Sequence, residues 1–473
     1  MIFNILAQKL TGEQLRLLYD NEANVLQTES GFVFGEGAQE VKPDVKPFSK
    51  DSPLRKSRDV AILKIQLGLS CNYSCEYCSQ RFVERAPETS KKDVDVFMAK
   101  IESLRFSEKT GLKIELWGGE PFVYWKTIKP LVARLKERLP YARFSVITNG
   151  SILTEEICYW LMVNDFSVAI SHDGPGQAIR GPDPFDDPKQ RKIILDFWRV
   201  MHRMRRISFN AMLTAGNYSR AEIHKWFVDL TGDPTVALGE GGFVDAYDEG
   251  GMANLMDTKA KHFQFRKTAF NDIYSSGGDV GFVGIVGKID AFTKSVLAHS
   301  PATSLGQKCG MDMENVVAVD LRGNVVTCQN VSAAATSHNG ESHHAGNIED
   351  MDSVRITTAT HWRNRAECSG CPVLHICKGS CMYIEGKHWT ESCANAYSDA
   401  VALFALAVEK ITDGYVPVYI DHPELPPERR DIWGTLLNHD ETPRKRVISI
   451  RAEKLAEVDG VAVYTQPTVM EPV

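Results

Sequence analysis

Long apolar runs are missing from this chain. The longest, Ala400–Val408, is bounded by Asp399 and Glu409 and falls well short of the ~20 residues that cross a bilayer, so it reads as a buried helix and no membrane partner is expected. The opening residues MIFNILAQKL have neither a basic lead-in nor a small-residue cleavage site, which argues against a secretory signal and for a cytoplasmic location. An excess of positive charge is also absent. The formal charge of -7 gives no electrostatic footprint for nucleic acid. There is no internal repeat and no composition typical of disorder, and 473 residues suffice for two or three cored domains. What the chain has in quantity is cysteine. Eleven thiols in a large chain without an export signal point to metal ligation or redox chemistry rather than to disulfides.

From residue 59 to about 248, short apolar runs alternate with amphipathic stretches. The strand candidates are Val60–Leu69, Leu112–Trp117, Arg143–Thr148, Ser167–Ser171, Ile207–Thr214 and Val236–Val244. Helix candidates lie between them at Lys92–Leu104, Trp125–Leu139, Thr154–Asn164, Gln190–Met204 and Ser219–Leu230, with start signals at Thr154 and Ser219. Strand-helix units in succession imply an α/β fold with a parallel sheet, either doubly wound or part of a barrel, and in both the function sits at the carboxyl ends of the strands. Residues 1–58 read as an appended module, with a helical piece at Gly12–Asn21, a hairpin through Glu29, Ser30 and Gly31, and a Pro- and Lys-rich linker. Residues 249–304 read as a helical connector, 305–412 as a cysteine-rich domain, and 413–473 as a polar tail.

Cys71, Cys75 and Cys78 stand in the segment CNYSCEYCSQ, directly after the first strand candidate. Three thiolates on one short loop can hold three irons of a four-iron cluster and leave the fourth iron free to bind a ligand. Zinc or buried thiols are the competing reading. Polar motifs recur at later strand ends and favour the cluster: Gly118-Gly119-Glu120-Pro121 after the second, Asn149 after the third, and Ser171 with Asp173 in ISHDGPG after the fourth. Seven more cysteines gather between Cys309 and Cys393, while Cys158 belongs to no motif and reads as core.

The Cys71-x3-Cys75-x2-Cys78 spacing, with Tyr77 before the last cysteine, resembles the signature of the radical S-adenosylmethionine superfamily. The later cysteines, with Gly323 and Gly346 among them, resemble its SPASM extension. The fold this implies is a partial (β/α)6 TIM-like barrel followed by a small SPASM domain. The resemblance further implies that S-adenosyl-L-methionine sits on the open iron, contacted by Gly118, Gly119, Glu120 and Pro121, with Tyr77, Asn149, Ser171, Asp173 and either Arg180 or Arg191 close by. It implies two auxiliary iron-sulfur clusters of the 4Fe-4S type, one held by Cys368, Cys371, Cys377 and Cys393, the other by Cys309, Cys328 and Cys381. The fourth position of the second could be open, or filled by a substrate atom, by a carboxylate, or by an imidazole such as His338, His343 or His344 in a loop that otherwise reads as solvated. His172 departs from the apolar residue usual at its position and reads as facing solvent.

Enzymes with this extension mostly act on peptides. The expected function is therefore hydrogen abstraction from a residue of a ribosomally made precursor peptide, with flavodoxin or ferredoxin as reductant and a separate leader-peptide-binding protein as a further partner. A sulfatase maturase is the alternative, but that group carries Asp directly after the second cysteine of the extension, where this chain has Gln329. A non-catalytic iron-sulfur carrier is the alternative of another class, and it would need neither the sheet nor the Gly-Gly-Glu-Pro loop. Glu240, Asp245 and Tyr247, near the sixth strand's end, are the acid-base candidates.

Overall fold

A computed structural model describes residues 1–37, 44–108, 111–276 and 283–434, and beyond these only the backbone of short strands between 450 and 469. Six parallel strands, Ile62–Gln66, Lys113–Trp117, Arg143–Thr148, Ser167–Ser171, Ile207–Leu213 and Leu238–Phe243, lie side by side in chain order. A doubly wound sheet would reverse its order at a switch point. This one does not, so the winding is that of an open barrel.

Helices cross between the strands where the amphipathic stretches predicted them, and their starts are chemically marked. Thr154 Oγ1 accepts from Ile157 N at 3.2 Å, and Ser219 Oγ from Glu222 N at 3.2 Å. Asp187 caps Pro188–Arg203, where proline occupies a position that needs no N–H. Along Arg143–Thr148 the alternate residues Phe144, Val146 and Thr148 are buried, the period-two pattern of a strand packed under helices.

The sheet does not stop at the barrel. Val316–Asp320 pairs in parallel with Ile62–Gln66, and Asn324–Val326 and His344–Asn347 continue antiparallel. The first part of the cysteine-rich region thus extends the barrel sheet, while the segment from Cys368 to Cys393 is helical turns, loop and the start of a helix. The apolar run Ala400–Val408 is buried inside the helix Gly386–Ile411, which packs on the helices Lys259–Ser275 and Val283–Leu297.

The reading of Gly12–Asn21 as helix is overturned. Gln14–Asp20 is a strand pairing with Ile2–Gln8 and with Val25–Thr28, and Leu15, Leu17 and Tyr19 turn inward at period two. A neighbouring strand supplied the pairing that local propensity did not reveal. The turn through Glu29, Ser30 and Gly31 is present, with Thr28 N donating to Phe32 O at 2.8 Å. Ile2–Gln8 also pairs with Val416–Asp421, so the segments read as a leading module and a trailing tail share one four-stranded sheet. The linker is equally tied in. Lys56 is buried, and its Nζ donates to the carbonyls of Met311 and Met313, each at 2.7 Å. Among the described residues no helix is long and apolar enough to cross a membrane.

Candidate active site

The loop bearing Cys71, Cys75 and Cys78 leaves the first barrel strand and is fastened from behind. Gly119 N donates to Gly68 O at 3.1 Å, Glu120 N to Ser70 O at 3.0 Å, and Ser70 N to the Tyr124 hydroxyl at 2.7 Å. Asn72 bridges the loop to the third strand's end, accepting from Asn149 Nδ2 at 2.9 Å and donating to Ser151 Oγ at 2.7 Å. Asn72, Tyr124 and Ser151 were not singled out in the sequence. Asn72 lies between two ligand candidates, and that position was its available signal.

One of the paired glycines also makes room for the cysteine loop. A Cβ on Gly119 would stand 2.4 Å from Ser70 O and 2.6 Å from Leu69 O, so the residue is small to admit the cysteine loop's own backbone. Gly119→Ala is expected to push that loop outward at a cost of about 1–3 kcal/mol. The check is the thermal midpoint, read together with the iron retained by the first three cysteines.

Glu120 is fully buried. One carboxylate oxygen accepts from Thr148 Oγ1 at 2.7 Å and from Phe122 N at 3.1 Å, the other from Asn149 N at 2.7 Å. Burial pushes its carboxyl up to about 7, against the pull of those three donors. The group thus locks the ends of the second and third strands together beneath the cavity.

Asp173 performs the same task at the fourth strand. It is 1% exposed, receives the Tyr77 hydroxyl, accepts from Met212 N at 2.9 Å, and faces Arg180 Nη1 at 3.4 Å. Arg180 Nη1 also reaches the Tyr77 oxygen at 2.8 Å. Of the two arginine candidates the structure brings in Arg180. Arg191 lies exposed in the first turn of Pro188–Arg203, outside the cavity, because its helix presents that face to solvent. His172 does not face solvent. It is wholly buried, stacked on Trp226 at 4.7 Å, with Nε2 3.0 Å from Asp183 Oδ1 and Nδ1 accepting from Gly174 N at 3.0 Å.

These pieces surround a cavity of about 630 Å³. The first three cysteines, Tyr77 and the Gly118–Pro121 loop line one side, and Asn149, Ser171 and Arg180 the strand ends. Asp245 and Tyr247 close it toward the second cysteine group. Asp245 Oδ1 accepts from Ser380 Oγ at 2.9 Å, and the Tyr247 hydroxyl donates to Cys381 Sγ at 3.1 Å. Glu240 is on the sixth strand, and its side chain lies outside the described residues.

The remaining cysteines fall into two neighbourhoods. Cys368 has Cys377, Cys393 and Cys371 in its neighbourhood, and burial pushes the Cys371 thiol up to about 12. Cys328 neighbours Cys309 and Cys381, and burial pushes its thiol up to about 11. Buried thiols are soft donors suited to iron. Among the described residues no three His, Cys, Asp or Glu side chains converge on one mononuclear ion; thiolates that each take a different iron need no such convergence. His343 is buried against Thr327 and Tyr383 rather than solvated, and lines a cavity of about 320 Å³ with His338, Cys328 and Cys381, whereas His344 is exposed. Cys158 is buried in the helix Glu155–Val163.

Comparison with known proteins places this arrangement. Residues 65–216 match the radical SAM superfamily model. The chain is 22% identical over 379 residues to the radical SAM cyclopropyl synthase TigE of Paramaledivibacter caminithermalis, covering 75% of each. A shorter stretch of 113 residues is 26% identical to an S-adenosylmethionine-dependent nucleotide dehydratase of Psychrobacter lutiphocae, 22% of this chain and 37% of that one. In fold it is similar to anSMEcpe, solved with AdoMet and the Kp18Cys peptide, with a TM-score of 0.53 and 17% identity over 74% of this chain and 99% of that one. Residues 65–216 thus form a radical SAM domain, and the chain that carries it is an enzyme.

Proposed function

We propose that this chain modifies a ribosomally made precursor peptide by hydrogen abstraction. The observation that carries the reading is the 630 Å³ cavity lined by the three-cysteine loop and, on its other side, by Asp245 and Tyr247, whose side chains touch Ser380 and Cys381 of the second cysteine group. A radical formed on one side and a redox centre on the other would then meet one substrate residue. The fold likeness to anSMEcpe, solved with a bound peptide, and the relation to a cyclopropyl synthase support a substrate that enters such a cavity.

The donor set fits the groups it would hold. Cys71, Cys75 and Cys78 would take three irons, and S-adenosyl-L-methionine the fourth; when bound, the pair supplies a 5'-deoxyadenosyl radical on one-electron reduction. The chain's own part is positional. Gly118, Gly119 and Pro121 would wall the methionine end, Glu120 would hold the ends of the second and third strands at a fixed separation, and Asn149 and Ser171 would line the nucleoside side. Arg180, held by Tyr77 and Asp173, would face the methionine carboxylate. Cys368, Cys371, Cys377 and Cys393 would hold one auxiliary cluster, and Cys309, Cys328 and Cys381 a second with one position left to another ligand. Tyr247 and Asp245 stand between the centres, placed to move a proton at the substrate, with Glu240 the third candidate. A flavodoxin or ferredoxin would supply electrons in the cytoplasm, and a separate protein would present the leader of the precursor.

Gln329 is buried, with its carboxamide oxygen 3.7 Å from Cys328 Sγ. A carboxamide is no base, which counts against formylglycine formation by this chain.

Anaerobic incubation of the iron-reconstituted enzyme with S-adenosyl-L-methionine and dithionite should release 5'-deoxyadenosine. Peptides encoded beside the gene should accelerate that release and change mass. Release that no peptide accelerates would defeat the substrate assignment, and no release at all would leave an electron carrier.

A further inference from the structure

We propose that Arg429, which follows the last cysteine in sequence, raises the reduction potential of the centre held by Cys368, Cys371, Cys377 and Cys393. The inference rests on the reading of that quartet as an iron-sulfur site.

Arg429 Nη2 donates to Cys393 Sγ at 3.2 Å. The guanidinium is held in place by Tyr397, one helical turn beyond Cys393. It lies over that ring at 4.8 Å, while the Tyr397 hydroxyl donates to the Arg429 carbonyl at 2.5 Å. Arg266, over the same ring at 5.3 Å, donates to the carbonyl of Glu428 at 2.9 Å and so fixes the segment that carries Arg429. The contact is therefore built from both sides.

The surroundings of the two cysteine neighbourhoods differ in charge. The quartet meets Arg429 at Cys393 and Cys371, Arg365 at Cys368 and Lys308 at Cys377, against the single carboxylate of Asp245. The trio meets Lys56 and Lys64, against Asp245 at Cys381 and Asp312 at Cys309, and a neutral donor, the Tyr247 hydroxyl, reaches the sulfur of Cys381. One-electron reduction adds negative charge to a cluster. Cations and charged hydrogen bonds at the sulfurs favour that reduced form and raise the potential. Arg429 provides the strongest contact of this kind, because it is a charged donor within hydrogen-bond distance of the sulfur itself.

The test is an EPR-monitored redox titration of reconstituted full-length enzyme carrying Arg429→Gln or Arg429→Lys, with iron content measured alongside. Arg429→Gln should move the quartet's midpoint to lower potential with iron content unchanged, and leave the signals of the other cysteine sets where they were. Arg429→Lys should retain part of the wild-type value. An unmoved midpoint with full iron would overturn the proposal. So would an equal displacement of every centre, or loss of the quartet's iron in both variants, which would make Arg429 purely structural. If unaltered enzyme binds no iron at the quartet, it is the reading of the quartet as a cluster site that fails, and this outcome is distinguishable from the others.

Discussion

Changing Cys71, Cys75 and Cys78 together to alanine is expected to drop 5'-deoxyadenosine release to background while about two thirds of the iron stays bound, as three four-iron sites reduced to two would require. The expectation follows from the separation of the cysteine sets. The first three sit on a loop fastened to Gly68, Ser70 and Asn72 through contacts with the Gly118–Pro121 segment, Tyr124 and Asn149. None of those contacts comes from the later cysteines, of which Cys393 lies on the helix Gly386–Ile411, Cys368 and Cys377 on short helical turns, and the rest in loops. Emptying one set therefore leaves the others framed. Iron analysis and chromatography of the nucleoside check both halves. Turnover that survived the triple change would remove this loop from the chemistry, and loss of all iron would mean that the sets assemble as one unit.

Asp173→Ala is expected to destabilise the barrel by about 3–5 kcal/mol, the range for stripping one partner from a buried ion pair. The carboxylate is the acceptor for three elements at once: the cysteine loop through Tyr77, the fifth strand through Met212 N, and Arg180. Its removal strands a buried guanidinium and orphans a buried amide, each with a desolvation penalty of its own. Asp173→Asn keeps an acceptor for Met212 N and should lose less. Anaerobic denaturation midpoints would rank the two variants below the parent. A loss under about 1 kcal/mol for the alanine variant would mean that water or a neighbour replaces the carboxylate.

The strands that carry the site were legible in the sequence to within a few residues, because each couples a buried apolar alternation to a polar motif at its carboxyl end. The grouping of the later cysteines was not legible in this way, since their positions interleave from Cys309 to Cys393 and only the family resemblance divided them. What escaped depends on distant partners. Gln14–Asp20 became a strand through Ile2–Gln8 and could not be told from a helix by its leucines alone. Arg180 and Arg191 are equivalent on paper, and only the short turn at Gly174–Ile179 aims the first inward. His172 departs from the expected apolar residue, yet its ring is satisfied by Asp183 and Trp226, neither adjacent in sequence. Arg429 carried no motif at all, and its meaning arises from a helix that ends well before it.

The pairing of Ile2–Gln8 with Val416–Asp421 also dictates an order of events at the ribosome. Ile2–Gln8 must wait, with one edge bare, until Val416–Asp421 has been translated, and bare edges recruit foreign strands. Closing so long a loop costs only logarithmically more than closing a short one, so the delay is one of time rather than of final stability. The four-stranded sheet would then close last, after the intervening barrel has formed.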